Sequence, residues 1–348
     1  MSKMENWHPT HSEGAHPDIL EALTRTNLSQ QHGYGDDEFS EEARNTIRQL
    51  IGSDAATIYF TPGGTGANLL SIASLLRPHE AVIAAEPGHI VGKEGGCVEA
   101  TGHKILVEPG VEGKLTPKQI QAAFDRSSLF AYQPKPKLVF ISNATEVGTV
   151  YIKSELQAIA AVCQKLNLLL LMDGARLGAA LASTKNDMTL QDIYQLTDVF
   201  WIGGTKNGAL LGEAIIIKDP AVGADFPYHM KQRGRLLAKG RLLGIQFSTL
   251  LRDDLLFRLA GHANEAAAEM STALVGMGYR LWQATESNQV FVIFPATLVQ
   301  ALEEEFDFFV WERLNDGSLV VRFVTSWATE LSELKRLCAV VAKWTEQR

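Results

Sequence analysis

Between about Ala55 and Lys218, short runs of β-branched and large apolar residues alternate with stretches of helical period, which restricts the chain to a mostly parallel sheet flanked by helices. The expected strands are 56–60, 81–85, 104–108, 137–142, 168–173, 198–203 and 213–218. Several, LLLLMD among them, are apolar throughout, as strands covered on both faces must be. Helical patterns such as ANLLSIASLL and SELQAIAAVCQKLN supply the crossovers, with Ser154 as a candidate N-cap for the second. The fold class is therefore α/β.

After Phe226 a basic stretch leads into a long helical segment, 254–277, and then into a strand, strand, helix, strand, helix succession: YRLWQ, QVFVIF, ATLVQALEEEF, SLVVRFVT and ELSELKRLCAVVAKW. We expect an N-terminal arm at 1–20, a large domain at 21–253 and a small α+β domain at 254–348. At 46% hydrophobic residues, 348 residues are enough for one large core or two unequal ones. A net charge of −8 gives no global reason to expect nucleic acid or an anionic membrane as partner. The longest strongly apolar run, 168–172, is far below the roughly 18 residues of a membrane span, and MSKMENWHPTHSEG lacks the apolar core of a signal peptide. Cys97, Cys163 and Cys338 are odd in number and lack CxxC spacing, which fits inert thiols in a reducing cytoplasm.

Three polar segments fall at the C-terminal ends of expected strands, the edge of an open α/β sheet where ligands bind. TPGGTGAN (61–68) turns from strand to helix with glycines that permit close approach, a candidate phosphate cradle or simply a tight turn. It lacks the Gly-Lys-Ser/Thr ending of an ATP-binding loop and the full GxGxxG dinucleotide spacing. Asp173, in DGAR, emerges from an apolar strand and needs a cationic or hydrogen-bonding partner, either a protonated ring nitrogen or a structural pairing with Arg176. Lys206, in GGTKNG, is either an exposed loop lysine or a desolvated amine able to attack an aldehyde. Pyridoxal 5′-phosphate (PLP) requires all three groups together.

The order and wording of these segments resemble the threonine aldolase branch of the fold type I, aspartate-aminotransferase-like PLP enzymes. The likeness runs through HGYGDD (32–37), TPGGTGAN, GHI around His89, NATEVGTVY (143–151), MDGARLG (172–178), GGTKNGAL (203–210), KGRLLGIQ (239–246) and VRFVTSWAT (321–329). The resemblance implies that Lys206 forms the Schiff base with PLP, that Asp173 pairs with the pyridine nitrogen, and that Gly64, Thr65 and Thr205 bind the phosphate. His89 would stack on the ring near the substrate hydroxyl. Arg176 and Arg322 would hold the substrate carboxylate, a task suited to guanidinium forks. Tyr34 and Arg241 match residues that reach the cofactor of a neighbouring subunit, which implies a homodimer or a dimer of dimers with shared sites.

Two departures stand out. Glu146 in NATEVG occupies a place where better-known members carry a histidine, so the β-hydroxyl proton would be handled by Glu146, directly or through water, or by His89 alone. The family's N-terminal serine segment has no clean counterpart in MENWHPTHSEGAHP, and His8, His11 and His16 there read as a polar arm, with no metal site expected. The implied reaction is retro-aldol cleavage of L-threonine, allo-threonine, phenylserine or a related β-hydroxy-α-amino acid to glycine and an aldehyde. The same cofactor residues would also serve a β-eliminating lyase or a racemase, and a non-catalytic PLP-binding protein is a third reading.

Overall fold

The segment Leu169–Asp173 has no polar face to offer water, and the computed structural model, which describes residues 5–7, 12–127 and 129–346, places it at the centre of a seven-stranded sheet. In chain order the strands are β1 (Thr57–Thr61), β2 (Glu80–Ala85), β3 (Lys104–Glu108), β4 (Lys135–Ser142), β5 (Leu169–Asp173), β6 (Val199–Gly203) and β7 (Glu213–Ile217). Their spatial order is β1-β7-β6-β5-β4-β2-β3. All neighbours from β6 to β3 are parallel, whereas β7 runs antiparallel to both β6 and β1. β1 therefore points the same way as the parallel strands. The C-terminal ends of β1, β2, β4, β5 and β6 meet the N-terminal end of β7 along one edge.

Every residue of β2, β6 and β7 is buried, because helices cover both faces. Side chains alternate between two apolar layers: Phe200 and Ile202 pack with Phe60 and Met172 on one face, Val199 and Trp201 with Leu70 and Phe140 on the other. Full burial of one such side chain contributes roughly 1.5–3 kcal/mol, so the two layers hold the strand ends in fixed positions.

The crossover helix Lys153–Leu166 begins one residue before the N-cap expected at Ser154. The Glu155 carboxylate accepts the Ile152 N–H at 3.0 Å and closes the helix start, so Ser154 is already helical. The long helix Leu255–Gly276 joins the two parts of the molecule: Leu255, Leu256 and Leu259 belong to the large core, Ala266, Met270 and Leu274 to the small one.

The small domain contains an antiparallel sheet of β8 (Arg280–Gln283), β9 (Gln289–Phe294), β10 (Phe309–Arg313) and β11 (Leu319–Val324), in the order β10-β11-β9-β8. β10 has no counterpart among the sequence expectations. The helix expected over 296–306 stops at Leu302, and Phe306–Asp307 pairs in parallel with Glu5–Asn6 instead, with Phe306 buried in the same core as Trp7. Residues 5–7 are thus docked: Trp7 is 2% exposed, its backbone N–H donates to the Asp307 carbonyl and its own carbonyl accepts the Val324 N–H. His8 and His11 lie outside the described residues. His16 caps the helix Pro17–Thr26, its Nδ1 accepting the Asp18 N–H at 3.3 Å. Among the described residues, no helix is long and apolar enough to cross a membrane, and no cluster of three or more His, Cys, Asp or Glu could hold a metal.

Candidate active site

β1 ends at Thr61, and the chain turns through Pro62 and Gly63 into the helix Gly64–Leu75. No side chain caps this helix, so its first amides are left for another acceptor. Only glycine fits at position 64, since a Cβ there would lie 2.9 Å from the Trp201 ring. Gly64 and Thr65 line a cavity of about 250 Å³ at the shared strand edge. Such a helix start is suited to a phosphate. Beside it, Arg235 donates from Nη1 to the Pro62 carbonyl at 3.0 Å and rests on Gly66.

β5 delivers Asp173, 4% exposed, to the same cavity. Its Oδ2 accepts from Asn68 Nδ2 at 2.8 Å and its Oδ1 from the Ala175 N–H at 2.9 Å. Among the described residues Asp173 has no ion-pair partner, so the structural pairing with Arg176 is not formed. Burial pushes the carboxyl up to about 6. A cation brought to Asp173 would relieve that penalty. Gly174 lets β5 and β6 adjoin at this point, because a Cβ would meet the Trp201 carbonyl oxygen.

β6 ends at Gly203, and the turn that follows carries Lys206. Glu213, the first residue of β7, accepts the Gly204 N–H at 3.1 Å and the Thr205 hydroxyl at 2.7 Å. Asn207 closes the turn by donating to the Gly203 carbonyl at 2.6 Å. Lys206 therefore lines the cavity and is not an exposed loop lysine. Among the described residues its amine has no hydrogen bond or ion pair. Desolvation first, and repulsion from Arg176 second, hold it down to about 8.

His89 follows β2 and Glu146 follows β4, and both line the cavity. The Glu146 Oε1 accepts the His89 backbone N–H at 2.8 Å and the Ser142 hydroxyl at 2.7 Å. Arg176 lines the cavity with its Nε buried and, among the described residues, unpartnered. Arg322, on β11, also has a buried Nε without a partner among the described residues, and its guanidinium lies 5.2 Å from the centroid of Phe309 and 5.6 Å from that of Trp311. Burial, and then the nearby Arg176, push Arg322 down to about 10. Two mutually repelling guanidinium groups with orphaned N–H donors call for an anion between them.

Tyr34 and Arg241 are not brought to this cavity. Tyr34 is 49% exposed with the Lys231 amine 4.4 Å over its ring, and Arg241 donates to the carbonyls of Asn27 and Ser29. Sequence reasoning missed Asn68, Glu94, Ser142, Glu213 and Arg235. A signal existed for two of them: Asn68 precedes a run of apolar helix residues, and Glu213 heads an otherwise apolar strand.

Comparison with known proteins agrees with this geometry. The model of the β-eliminating lyase family matches residues 14–297. The chain is 36% identical to a low specificity L-threonine aldolase of a Pseudomonas species, over 94% of each chain. The solved threonine aldolase of Leishmania major is 43% identical and superimposes with a TM-score of 0.96, covering 98% of this chain and 99% of that one. Aspartate aminotransferase of Thermus thermophilus, only 16% identical, shares the fold with a TM-score of 0.69 over 97% of this chain and 90% of that one.

Proposed function

The chain belongs to the β-eliminating lyase family, and from that premise we propose that it is a PLP-dependent lyase of the threonine aldolase type, cleaving L-threonine or a related β-hydroxy-α-amino acid to glycine and an aldehyde. One observation carries the reading: among the described residues, a desolvated lysine amine without a hydrogen bond and a buried carboxylate without an ion-pair partner line the same cavity as an uncapped helix start. These residues fit PLP. Lys206 would hold its aldehyde carbon, Asp173 its ring nitrogen, and the amides of Gly64 and Thr65 its phosphate, with Arg235 alongside. The Thr205 hydroxyl is committed to Glu213, so its part is to hold the turn. Bound PLP supplies an electron sink for the pair released when a bond at the amino acid Cα breaks.

The rest falls to the chain's own side chains. Arg176 and Arg322 receive the substrate carboxylate and thereby orient the Cα–Cβ bond. The Glu146 Oε1 is occupied by two donors, which leaves Oε2 and the His89 ring as the acceptors for the β-hydroxyl proton. The position of Tyr34 and Arg241 outside this chain's cavity supports a homodimer or dimer of dimers in which they serve a second copy. So does Leu28, 92% exposed between the two carbonyls that Arg241 holds. The three free thiols, all pushed up by burial, support a reducing, cytoplasmic setting.

Product analysis tests the reading. Holoenzyme and L-threonine are expected to give acetaldehyde and glycine in equal amounts. Ammonia and 2-oxobutanoate would replace aldol cleavage by elimination. A cofactor spectrum unchanged by every β-hydroxy amino acid would leave a non-catalytic binding protein.

A further inference from the structure

A chain of hydrogen bonds along the cavity wall runs from Trp201 through Asn68 and Glu94, all three buried, to His89, and has only one consistent direction. An indole N–H only donates, so the 3.1 Å contact from Trp201 Nε1 fixes the Asn68 oxygen as acceptor and its Nδ2 as donor. Both hydrogens of that Nδ2 are used, towards Asp173 Oδ2 at 2.8 Å and Glu94 Oε1 at 2.8 Å. The other Glu94 oxygen, Oε2, receives the Cys97 thiol at 3.0 Å. Burial and the neighbouring Glu94 push that thiol up to about 12, so it keeps its proton. Both Glu94 oxygens are therefore acceptors. The His89 Nδ1, 2.8 Å from Glu94 Oε1, is left with the role of donor.

We infer that Trp201, acting through Asn68 and Glu94, fixes the tautomer of the His89 ring, so that in its neutral form the proton sits on Nδ1 and the lone pair on Nε2. His89 lines the cavity, and Nε2 is the nitrogen left to meet a substrate. His89 then accepts a hydrogen bond from a substrate hydroxyl and does not donate one, which is the polarity needed to take a β-hydroxyl proton. This part rests on the proposed aldol cleavage. Trp201, Asn68 and Glu94 are positioning residues: none needs to touch the substrate. Because the same Asn68 amide also holds Asp173 Oδ2, one side chain sets the acceptor state of both the group meant for the ring nitrogen and the group meant for the hydroxyl. The acidic groups around His89 leave this ring assignment intact. Glu146 binds its backbone N–H, and Asp173 is engaged by Asn68 and Ala175.

The test reads the ring nitrogens directly. The full chain, labelled with [15N]histidine and loaded with PLP, contains nine histidines, and His89→Gln identifies the signal of interest. At a pH where that ring is neutral, its proton is expected on Nδ1, the tautomer that a free histidine side chain disfavours in water. Glu94→Ala is expected to move the proton to Nε2. Glu94→Gln, whose amide oxygen still accepts from Nδ1–H, is expected to restore the wild-type tautomer. An Nε2–H signal in the wild-type protein overturns the inference, and so does an unchanged tautomer in Glu94→Ala. The wild-type measurement alone is decisive if that variant folds poorly. A chain that takes up no PLP would end the proposed function, while the ring-nitrogen signal of the same chain would still decide this inference.

Discussion

Thr205 Oγ1 donates to Glu213 Oε1 across 2.7 Å, and that bond anchors the turn carrying Lys206 to the antiparallel strand β7. Glu213 also takes the Gly204 N–H, and burial pushes its carboxyl up to about 8. Glu213→Ala leaves the Thr205 hydroxyl without its acceptor at about 1–3 kcal/mol, whereas the Gly204 N–H keeps the Gly212 carbonyl at 2.9 Å. Urea denaturation is expected to show a stability loss of about 1–3 kcal/mol. Wild-type stability in that variant would detach Glu213 from the turn.

Lys206 stands at about 8 against the usual 10.5. The lowered value means that the reactive neutral amine is the minor form below pH 8 and the major form above it. Roughly a tenth of the lysine is neutral at pH 7 and roughly nine tenths at pH 9. Uptake of PLP by cofactor-free protein, followed by absorbance, is expected to accelerate about tenfold between those values and then level off. A rate independent of pH over this range contradicts the assignment. In Lys206→Ala, borohydride is expected to trap no cofactor, and trapping at another lysine would move the site.

Arg322 and Arg176 each carry a buried Nε with no partner among the described residues. Loss of one charged hydrogen bond costs about 1.5–3 kcal/mol, equivalent to roughly a tenfold to hundredfold rise in KM. Steady-state kinetics of Arg322→Ala with threonine should show that rise with a smaller change in kcat. An unchanged KM would remove Arg322 from carboxylate binding.

Glu146 holds the His89 backbone and the Ser142 hydroxyl through a single oxygen, leaving its other oxygen for proton transfer. Glu146→Gln preserves an acceptor of the same shape and removes the base. A fall in kcat of about a hundredfold with little change in KM is expected if Glu146 takes the proton. Activity close to wild type would assign that step to His89.

The inner strands of the large sheet were legible because strands buried on both faces must be apolar along their length, as EAIIIK and DVFWIG are between their turns. The small domain was less so. β10 has exposed and half-buried residues and a register shift against β11, so it carries no clean alternation, and the pairing of Glu5–Asn6 with Phe306–Asp307 joins residues some 300 positions apart.

The sequence by itself determined the α/β order of elements and the three strand-end motifs that carry Gly64, Asp173 and Lys206, because periodicity and glycine-rich turns are local properties of the chain. Only the tertiary structure decided what surrounds those groups. Asn68 reaches Asp173 and Glu94, Glu213 reaches Thr205, and Trp201 reaches Asn68, only because β1, β5, β6 and β7 end along a common edge. It likewise left Arg241 on the carbonyls of Asn27 and Ser29, away from the cavity. Burial, hydrogen-bond direction and the lowered basicity of Lys206 are set by atoms distant in sequence, so no reading of neighbouring residues could supply them.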